Sequence, residues 1–247
     1  MPEGHLLHHL ARQHRDGLLG AREVSSPQGR FDAAAITGVL EGVEAHGKHL
    51  FHGWSDGMVV HVHLGKQGLF VHHDIPPPAP RPQVRMRVVG PRLASDLIAP
   101  LLCEVVDEAG QEAVVAGLGP DPLRADADAT VALSALRATT SPIGAALLDQ
   151  SRISGIGNVL RAEVLHLVGI DGERPASALS DADAEGLWQA LVDLMRRSAE
   201  AGEIPKTVYR RERCTLHQAP VHTLTIGGRT FYRCASTPLA SPRLRSP

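Results

Sequence analysis

The chain has 247 residues, 43% hydrophobic and 21% charged, which is enough apolar material for one large domain or two modest ones and argues against disorder. No apolar run approaches the ~20 residues of a membrane span, and the N-terminus lacks the basic leader and apolar stretch of a secretory signal. Three cysteines cannot all pair, so a reduced, cytoplasmic setting is expected, with sulfur left for metal or packing.

The first segment, from residue 4 to about residue 20, carries Leu7, Leu10 and Ala11 at helical spacing and ends in glycine-rich sequence. Strand-like runs follow: LFHGW, MVVHVHL, GLFVHH, VRMRVVG and LLCEVVD, separated by Gly, Asp and Pro. Ser55-Asp56-Gly57 predicts a tight hairpin turn between the first two runs. The prolines within 76–82 predict a stiff loop, because proline cannot donate to a ladder. This half reads as a β-sandwich or barrel preceded by one helix.

After Gly119-Pro120-Asp121-Pro122 the pattern turns helical, over 128–138, 142–150, 159–168 and 180–201. Ser180 predicts an N-cap for the last of these, with Asp181, Asp183 and Glu185 following as favourable first-turn charge. The break SRISGIGN, with Gly155 and Gly157, predicts a helix–turn–helix connection. A short β-hairpin around Gly227-Gly228 is expected near the end. The whole is an α+β chain divided as 1–122, 123–205 and 206–247.

A net charge of −2 argues at first against a nucleic-acid partner. From residue 204 onward, however, the chain carries Lys206, Arg210, Arg211, Arg213, Arg229, Arg233, Arg243 and Arg245 against Glu212 alone. A basic module on an acidic body fits phosphate binding by a localised surface, and it equally fits a solvated arginine-rich tail.

The chemistry-bearing residues begin at Met1-Pro2-Glu3. If Met1 is removed, Pro2 becomes a free secondary amine titrating near ~8, able to attack an electrophilic sugar carbon and form an iminium. Glu3 beside it can move protons. Lys48, in HGKHL, sits at a glycine turn before a strand, as a solvated charge or as a ligand contact. Gly155 and Gly157 let backbone N–H groups approach a phosphate at the start of the next helix, where Asn158 caps the helix or bonds the phosphate. Near the end, Cys214 and His217, then Cys234 and Thr237, have zinc-finger spacing, but threonine is a poor zinc ligand. The alternatives are three protein ligands plus water, a fourth such as His222, or a finger that has lost its metal. Fourteen histidines, including His61 and His63 on one strand face, read as surface or hydrogen-bonded groups. Cys103 reads as packing, and Trp54 and Trp188 as core anchors.

In chain order, MPEG, HGKHL, HLGKQG, IAPLLCEVV, LGPDPL, LLDQ, SGIGNVLRAEVL and GRTFYRC resemble the formamidopyrimidine-DNA glycosylase/endonuclease VIII family over nearly the whole length. The resemblance implies an N-terminal helix with a β-sandwich, a helix–two-turn–helix domain and a finger with or without zinc. It implies a monomeric bifunctional DNA glycosylase/AP lyase that flips a damaged base out of double-stranded DNA and performs β,δ-elimination. In it Pro2 is the Schiff-base nucleophile, Glu3 the acid/base and Lys48 the hairpin lysine near the lesion. Asn158 and Arg229 bind phosphate, while Cys214, His217 and Cys234 are the ligands of the finger's zinc where it carries one. Two departures point to the endonuclease VIII branch and to oxidised pyrimidines or abasic sites. Leu6 stands where a glutamate is usual, and Lys66 where oxoguanine-specific members carry a methionine wedge, so Gly65, Lys66 and Gln67 must fill the stack. The rival readings are a non-catalytic damaged-DNA binder on the same fold, and an RNA-associated helical module.

Overall fold

Helix α1 (Gly4–Leu18) forms because Leu7, Leu10, Ala11, His14 and Leu18 recur at helical spacing and are all buried on one face. It stops before Gly20, whose φ of +88° no β-carbon-bearing residue adopts cheaply. The computed structural model describes residues 2–237, so Met1, Arg243 and Arg245 lie outside the described residues.

The expected strands follow as β-elements of two antiparallel sheets. Their ranges are β1 (Glu23–Ser25), β2 (Leu40–His46), β3 (His49–Trp54), β4 (Met58–His63), β5 (Leu69–His73), β6 (Val84–Val89), β7 (Ala94–Ile98) and β8 (Leu102–Asp107). One sheet has the order β1-β6-β7-β5 and the other β2-β3-β4-β8. The turn at Ser55-Asp56-Gly57 joins β3 to β4, with Gly57 at φ +81°. Leu7, Leu10 and Leu18 of α1 share one core with Leu50, Trp54, Val60, Val62, Met86, Val88 and Leu97 of the sheets.

Strands β2 and β7 carry no clear alternation in the sequence. Strand β7 reads ASDLI, with a carboxylate in mid-strand, and is stable because its register sets Asp96 opposite Arg87 of β6. The guanidinium grips the carboxylate bidentately, at 2.5 Å (Nε–Oδ1) and 2.7 Å (NH2–Oδ2), and His73 of β5 reaches the same carboxylate at 2.9 Å. Burial alone would raise the Asp96 pKa; the Arg87 and His73 contacts outweigh it and hold it below the usual carboxylate range.

The histidines of this region are largely interior and hydrogen-bonded to one another. His14 bonds His52 (Nδ1···Nε2, 2.9 Å) and His72 (Nε2···Nε2, 3.1 Å), with Ser95 Oγ 3.2 Å from His14 Nε2. His61 is buried between His49 (2.8 Å) and Glu104 (3.0 Å), a carboxylate on the neighbouring strand β8. A linear count cannot see that cross-strand partner. Cys103 is buried, and burial pushes its thiol up to about 12, as a packing residue's would be.

The chain divides into two compact units, Met1–Gly117 and Leu118–Pro247. A short helix the hydrophobic pattern does not reveal, α2 (Glu108–Ala116), closes the first unit; Asp107 caps it by accepting from Gly110 N–H, and it buries no residue.

The second unit holds α3 (Ala129–Arg137), α4 (Ile143–Ala146), α5 (Asn158–Leu167), α6 (Asp181–Ala201) and a hairpin of β9 (Val221–Ile226) and β10 (Arg229–Cys234). Ser180 caps α6 as expected, accepting from Asp183 N–H. Helix α4 is much shorter than the expected 142–150. Asp149 accepts from Ser151 N–H and Oγ–H and from Arg152 Nε, while Gln150 Nε2 donates to the Leu148 and Ile156 carbonyls. Such local side-chain bonds compete with the helix ladder and end it. The hairpin residues Ile226, Phe231 and Cys234 belong to the same apolar core as Leu136, Leu147, Leu160, Leu165 and Leu191. Among the described residues no helix is long and apolar enough to cross a membrane.

Candidate active site and metal centre

In the first unit, Pro2 is half-buried and Glu3 is 1% exposed at the N-cap of α1. Lys48 is half-buried in the two-residue turn between β2 and β3, after Gly47 at φ +58°. The helix packs along β2 in the opposite direction: Gly20 N–H bonds Leu40 O, and Arg15 bonds Val43 O. From Arg15 back to Glu3 the helix travels about 18 Å. From Val43 on to Lys48 the strand travels about 17 Å. These matched lengths bring Pro2, Glu3 and Lys48 to the same end of the unit. Two histidines there are held neutral: burial lowers His5 to about 4, and burial followed by neighbouring positive groups lowers His49 to about 3.

Lys66 and Gln67 are both exposed on the turn between β4 and β5. That turn is tight, since Gly65 has φ +66° and a β-carbon on Gly68 would meet Leu64 O at 2.4 Å. Beside it stands Leu101, 73% exposed; a β-carbon on Gly65 would fall 2.7 Å from that of Leu101. Nothing in the run LLCEVVD separates this outward leucine from the more buried residues that follow it. Leu6 lies partly buried against the core.

In the second unit, Gly155 has φ +89°, but its N–H is already bonded to Gln150 Oε1 at 3.0 Å. That amide is therefore committed to the turn, contrary to the expectation that it faces an anion. The N-cap of α5 is Gly157 and makes no side-chain cap bond, which corrects the reading of Asn158 as cap. Asn158 is instead the first helical residue: its Nδ2 donates to Thr230 O at 2.9 Å, and its buried Oδ1 has no hydrogen-bond partner. Arg161, 0% exposed, donates to the carbonyls of Gly144 and Ile226 and is the main clasp on the hairpin. Glu163 accepts from the N–H groups of Thr207, Val208 and Tyr209. Neither Arg161 nor Glu163 stands out in the sequence, where both read as the polar face of a helix. Nine of the ten residues of α5 are buried.

The hairpin turns on Gly227 and Gly228 at φ +60° and +68°, setting Arg229 opposite Ile226. Arg229, Lys206, Arg210, Arg211 and Arg213 are exposed, whereas Arg233 is paired with Asp171 and Glu173 at 3.4 Å.

Cys214, His217 and Cys234 converge as the spacing predicts, and a fourth residue joins them. His166, on α5, places its ring with the other three so that one ligand atom from each lies within 4.8 Å of every other. Cys214 Sγ is 3.2 Å from His166 Nε2 and 3.6 Å from His217 Nδ1, and Cys234 Sγ is 3.6 Å from His217 Nδ1. Tetrahedral zinc with ordinary bond lengths puts S and N ligands about 3.6 Å apart. The donor set therefore fits such an ion. Backbone N–H groups of His217 and Ser236 point at the two sulfurs, at 3.5 and 3.4 Å, as favours thiolates. The cysteines are not joined to each other. His222 is exposed on β9, opposite Arg233, and is not part of the group. Thr237 is buried with its Oγ1 3.3 Å from His166 Nδ1.

A family model described as the formamidopyrimidine-DNA glycosylase H2TH domain matches residues 118–209. The chain is 42% identical over 263 residues to "Endonuclease 8 1" of Mycobacterium tuberculosis, covering 95% of this chain and 98% of that protein. It is 29% identical over 208 residues to the formamidopyrimidine-DNA glycosylase of Cereibacter sphaeroides, covering 76% and 71%. In fold it is similar to the Lactococcus lactis formamidopyrimidine-DNA glycosylase non-covalently bound to AP-site-containing DNA, with a TM-score of 0.80 at 18% identity over 95% of this chain and 98% of that one. The chain belongs to the formamidopyrimidine-DNA glycosylase/endonuclease VIII family of DNA-repair glycosylases with AP lyase activity. Within that family it lies on the endonuclease VIII side.

Proposed function

We propose that this chain removes oxidised pyrimidines from double-stranded DNA and cuts the strand at the resulting site, with Pro2 as nucleophile. The observation that carries the reading is the packing of α1 along β2 in opposite directions, whose matched lengths put Pro2, Glu3 and Lys48 toward one end of the first unit. With Met1 removed, the neutral Pro2 nitrogen attacks C1′ of the flipped nucleotide. The base leaves with a proton, the sugar ring opens, and an iminium joins Pro2 to C1′. Glu3 delivers and removes the protons of these steps. Loss of the 2′ proton expels the 3′ phosphate, loss of the 4′ proton from the conjugated iminium then expels the 5′ phosphate, and water hydrolyses the iminium to free Pro2. Lys48 stabilises phosphate or base charge near the lesion.

Several features of the chain support the finer parts. Leu6 offers no acceptor to a purine lesion, which favours pyrimidines. Lys66, Gln67 and the outward Leu101 form a projecting tip suited to the space an extruded base leaves. The exposed Arg229 and the α5 N-terminus, with Asn158, suit backbone phosphates. Zinc is the ion that two thiolates and imidazoles at these separations would hold, with Cys214, His217 and Cys234 among its ligands; it would fix the finger's shape and take no part in the chemistry. Working segments 1–122, 123–205 and 206–247 then supply catalysis, duplex grip and finger.

Borohydride trapping on duplexes bearing an abasic site or 5-hydroxyuracil tests this, with intact mass measured on the same sample. The expected result is a covalent adduct that disappears when Met1 is retained. The Lys48→Ala variant should turn over about 100-fold more slowly while still binding the duplex. Binding without an adduct from correctly processed protein would make the chain a non-catalytic damage binder. Faster release of 8-oxoguanine than of 5-hydroxyuracil would remove the pyrimidine preference.

A further inference from the structure

The finger spacing leaves Thr237 where a fourth hairpin ligand is expected, yet the hairpin has not simply lost that ligand. We infer that the metal centre takes its fourth ligand, His166, from helix α5, so that the ion staples the hairpin to the helical body. The inference rests on the zinc reading above and adds to it the identity and origin of the missing ligand.

Three observations converge. First, His166 Nε2 lies 3.2 Å from Cys214 Sγ and within 4.8 Å of the ligand atoms of His217 and Cys234. Second, the other ring nitrogen of His166 faces Thr237 Oγ1 at 3.3 Å. A metal-bound histidine ordinarily bonds its second nitrogen to an oxygen that fixes ring orientation and tautomer. Thr237 thus occupies the vacant slot as the group that orients the replacement ligand. This also accounts for the burial of Thr237, a polar residue at the end of the finger. Third, the lengths agree. From Asn158, which bonds Thr230 O, to His166 the helix advances about 12 Å. From Thr230 to Cys234 the strand advances about 13 Å. Helix α5 therefore runs alongside β10 with a contact at each end: Asn158 and Arg161 toward the turn, and His166 toward the cysteines.

A finger held by four hairpin residues closes on itself and can pivot as a body. One held by three hairpin residues and a helix residue is locked in orientation. Its exposed Arg229 is then presented at a fixed place relative to the α5 N-terminus. The metal would thereby set the position of a phosphate-binding arginine without touching DNA.

The test uses the full chain, stripped of metal and titrated with Co²⁺ as the spectroscopic stand-in for zinc. Wild type should bind one equivalent with a tetrahedral ligand-field spectrum and a charge-transfer band from two thiolates. The His166→Ala variant should bind more than about 100-fold more weakly, since losing even an outer-shell partner costs up to that much. Should that variant fail to fold, His166→Cys keeps a ligand in place and should raise the charge-transfer intensity about 1.5-fold, three thiolates replacing two. Adding Thr237→Cys to His166→Ala, which returns the fourth ligand to the hairpin, should recover binding. His222→Ala should change nothing. Hydrogen exchange in β9 and β10 should quicken in His166→Ala and not in the recovered double variant. Metal binding indifferent to both His166 substitutions would overturn this inference and leave the zinc reading standing. No metal binding by wild type would overturn both.

Discussion

The two units bury histidine for opposite ends. In the first, His14 bonds both His52 and His72 within a strand-built core. In the second, His166 is bonded to a thiol and a threonine, where an ion can replace the missing charge. The lesson is that a buried imidazole's meaning is set by its partners. Histidine beside histidine must stay neutral, while histidine beside thiolate is a ligand set. The units also differ in what they clasp. The first is locked by side-chain pairs between strands, such as Arg87 with Asp96; the second by side chains of one helix, α5, reaching backbone carbonyls and N–H groups.

That contrast can be broken most severely at Arg161. Replacing it with Met keeps the volume but removes the guanidinium's bonds to the Gly144 and Ile226 carbonyls. Two buried charge-assisted bonds are worth about 4 kcal/mol in all. Chemical denaturation followed by Trp188 fluorescence should register this loss in the second unit, with the Trp54 signal of the first unchanged.

The acid response should fall the other way. Burial lowers His52 to about 4 and His14 well below the ordinary imidazole value of 6.5. Below pH 6.5 the unfolded chain takes up protons that the native interior refuses, so stability is complete above that pH and is lost as pH falls toward 4. For His52 alone the loss is about 3 kcal/mol. Thermal unfolding of Trp188→Phe, which reports Trp54, should show the melting temperature of the first unit dropping steadily from pH 6.5 to 4. A flat profile there would mean these imidazoles are not neutral and buried as described.

Smaller effects sharpen the picture of the hairpin's seat. A β-carbon on Gly172 would lie 2.8 Å from the Phe231 ring, so Gly172→Ala must push the hairpin outward. Overpacking of that kind costs about 2 kcal/mol, readable as a lowered denaturation midpoint with faster exchange in β10. Smallest is Asp128→Ala. It removes a cap that accepts from Thr130 and Val131 N–H, costs about 1 kcal/mol, and should leave hairpin exchange untouched.

Much of this was legible beforehand. The spacing of Leu7, Leu10 and Ala11 announced α1, the alternating runs announced β3 to β6 and β8, and Gly227-Gly228 announced the last hairpin, because each depends on residues a few positions apart. Strand β7 was hidden because its Asp96 is tolerable only across from Arg87, and α4 was overdrawn because Asp149 and Gln150 compete for its backbone. For the candidate site, Pro2, Glu3, Lys48, Lys66, Gln67, Asn158 and Arg229 could be named from short motifs, but not what Asn158 touches.

What the sequence determined by itself, then, is every feature governed by local periodicity and turn chemistry, together with the Cys214, His217 and Cys234 spacing. What only the tertiary structure decided is partnership at a distance. His166 stands 48 residues before Cys214 in a helix buried almost all round, where a histidine reads as one more core residue. It becomes a ligand only because α5 packs along β10, and that packing is a property of the shared core, to which no single stretch of chain holds the key.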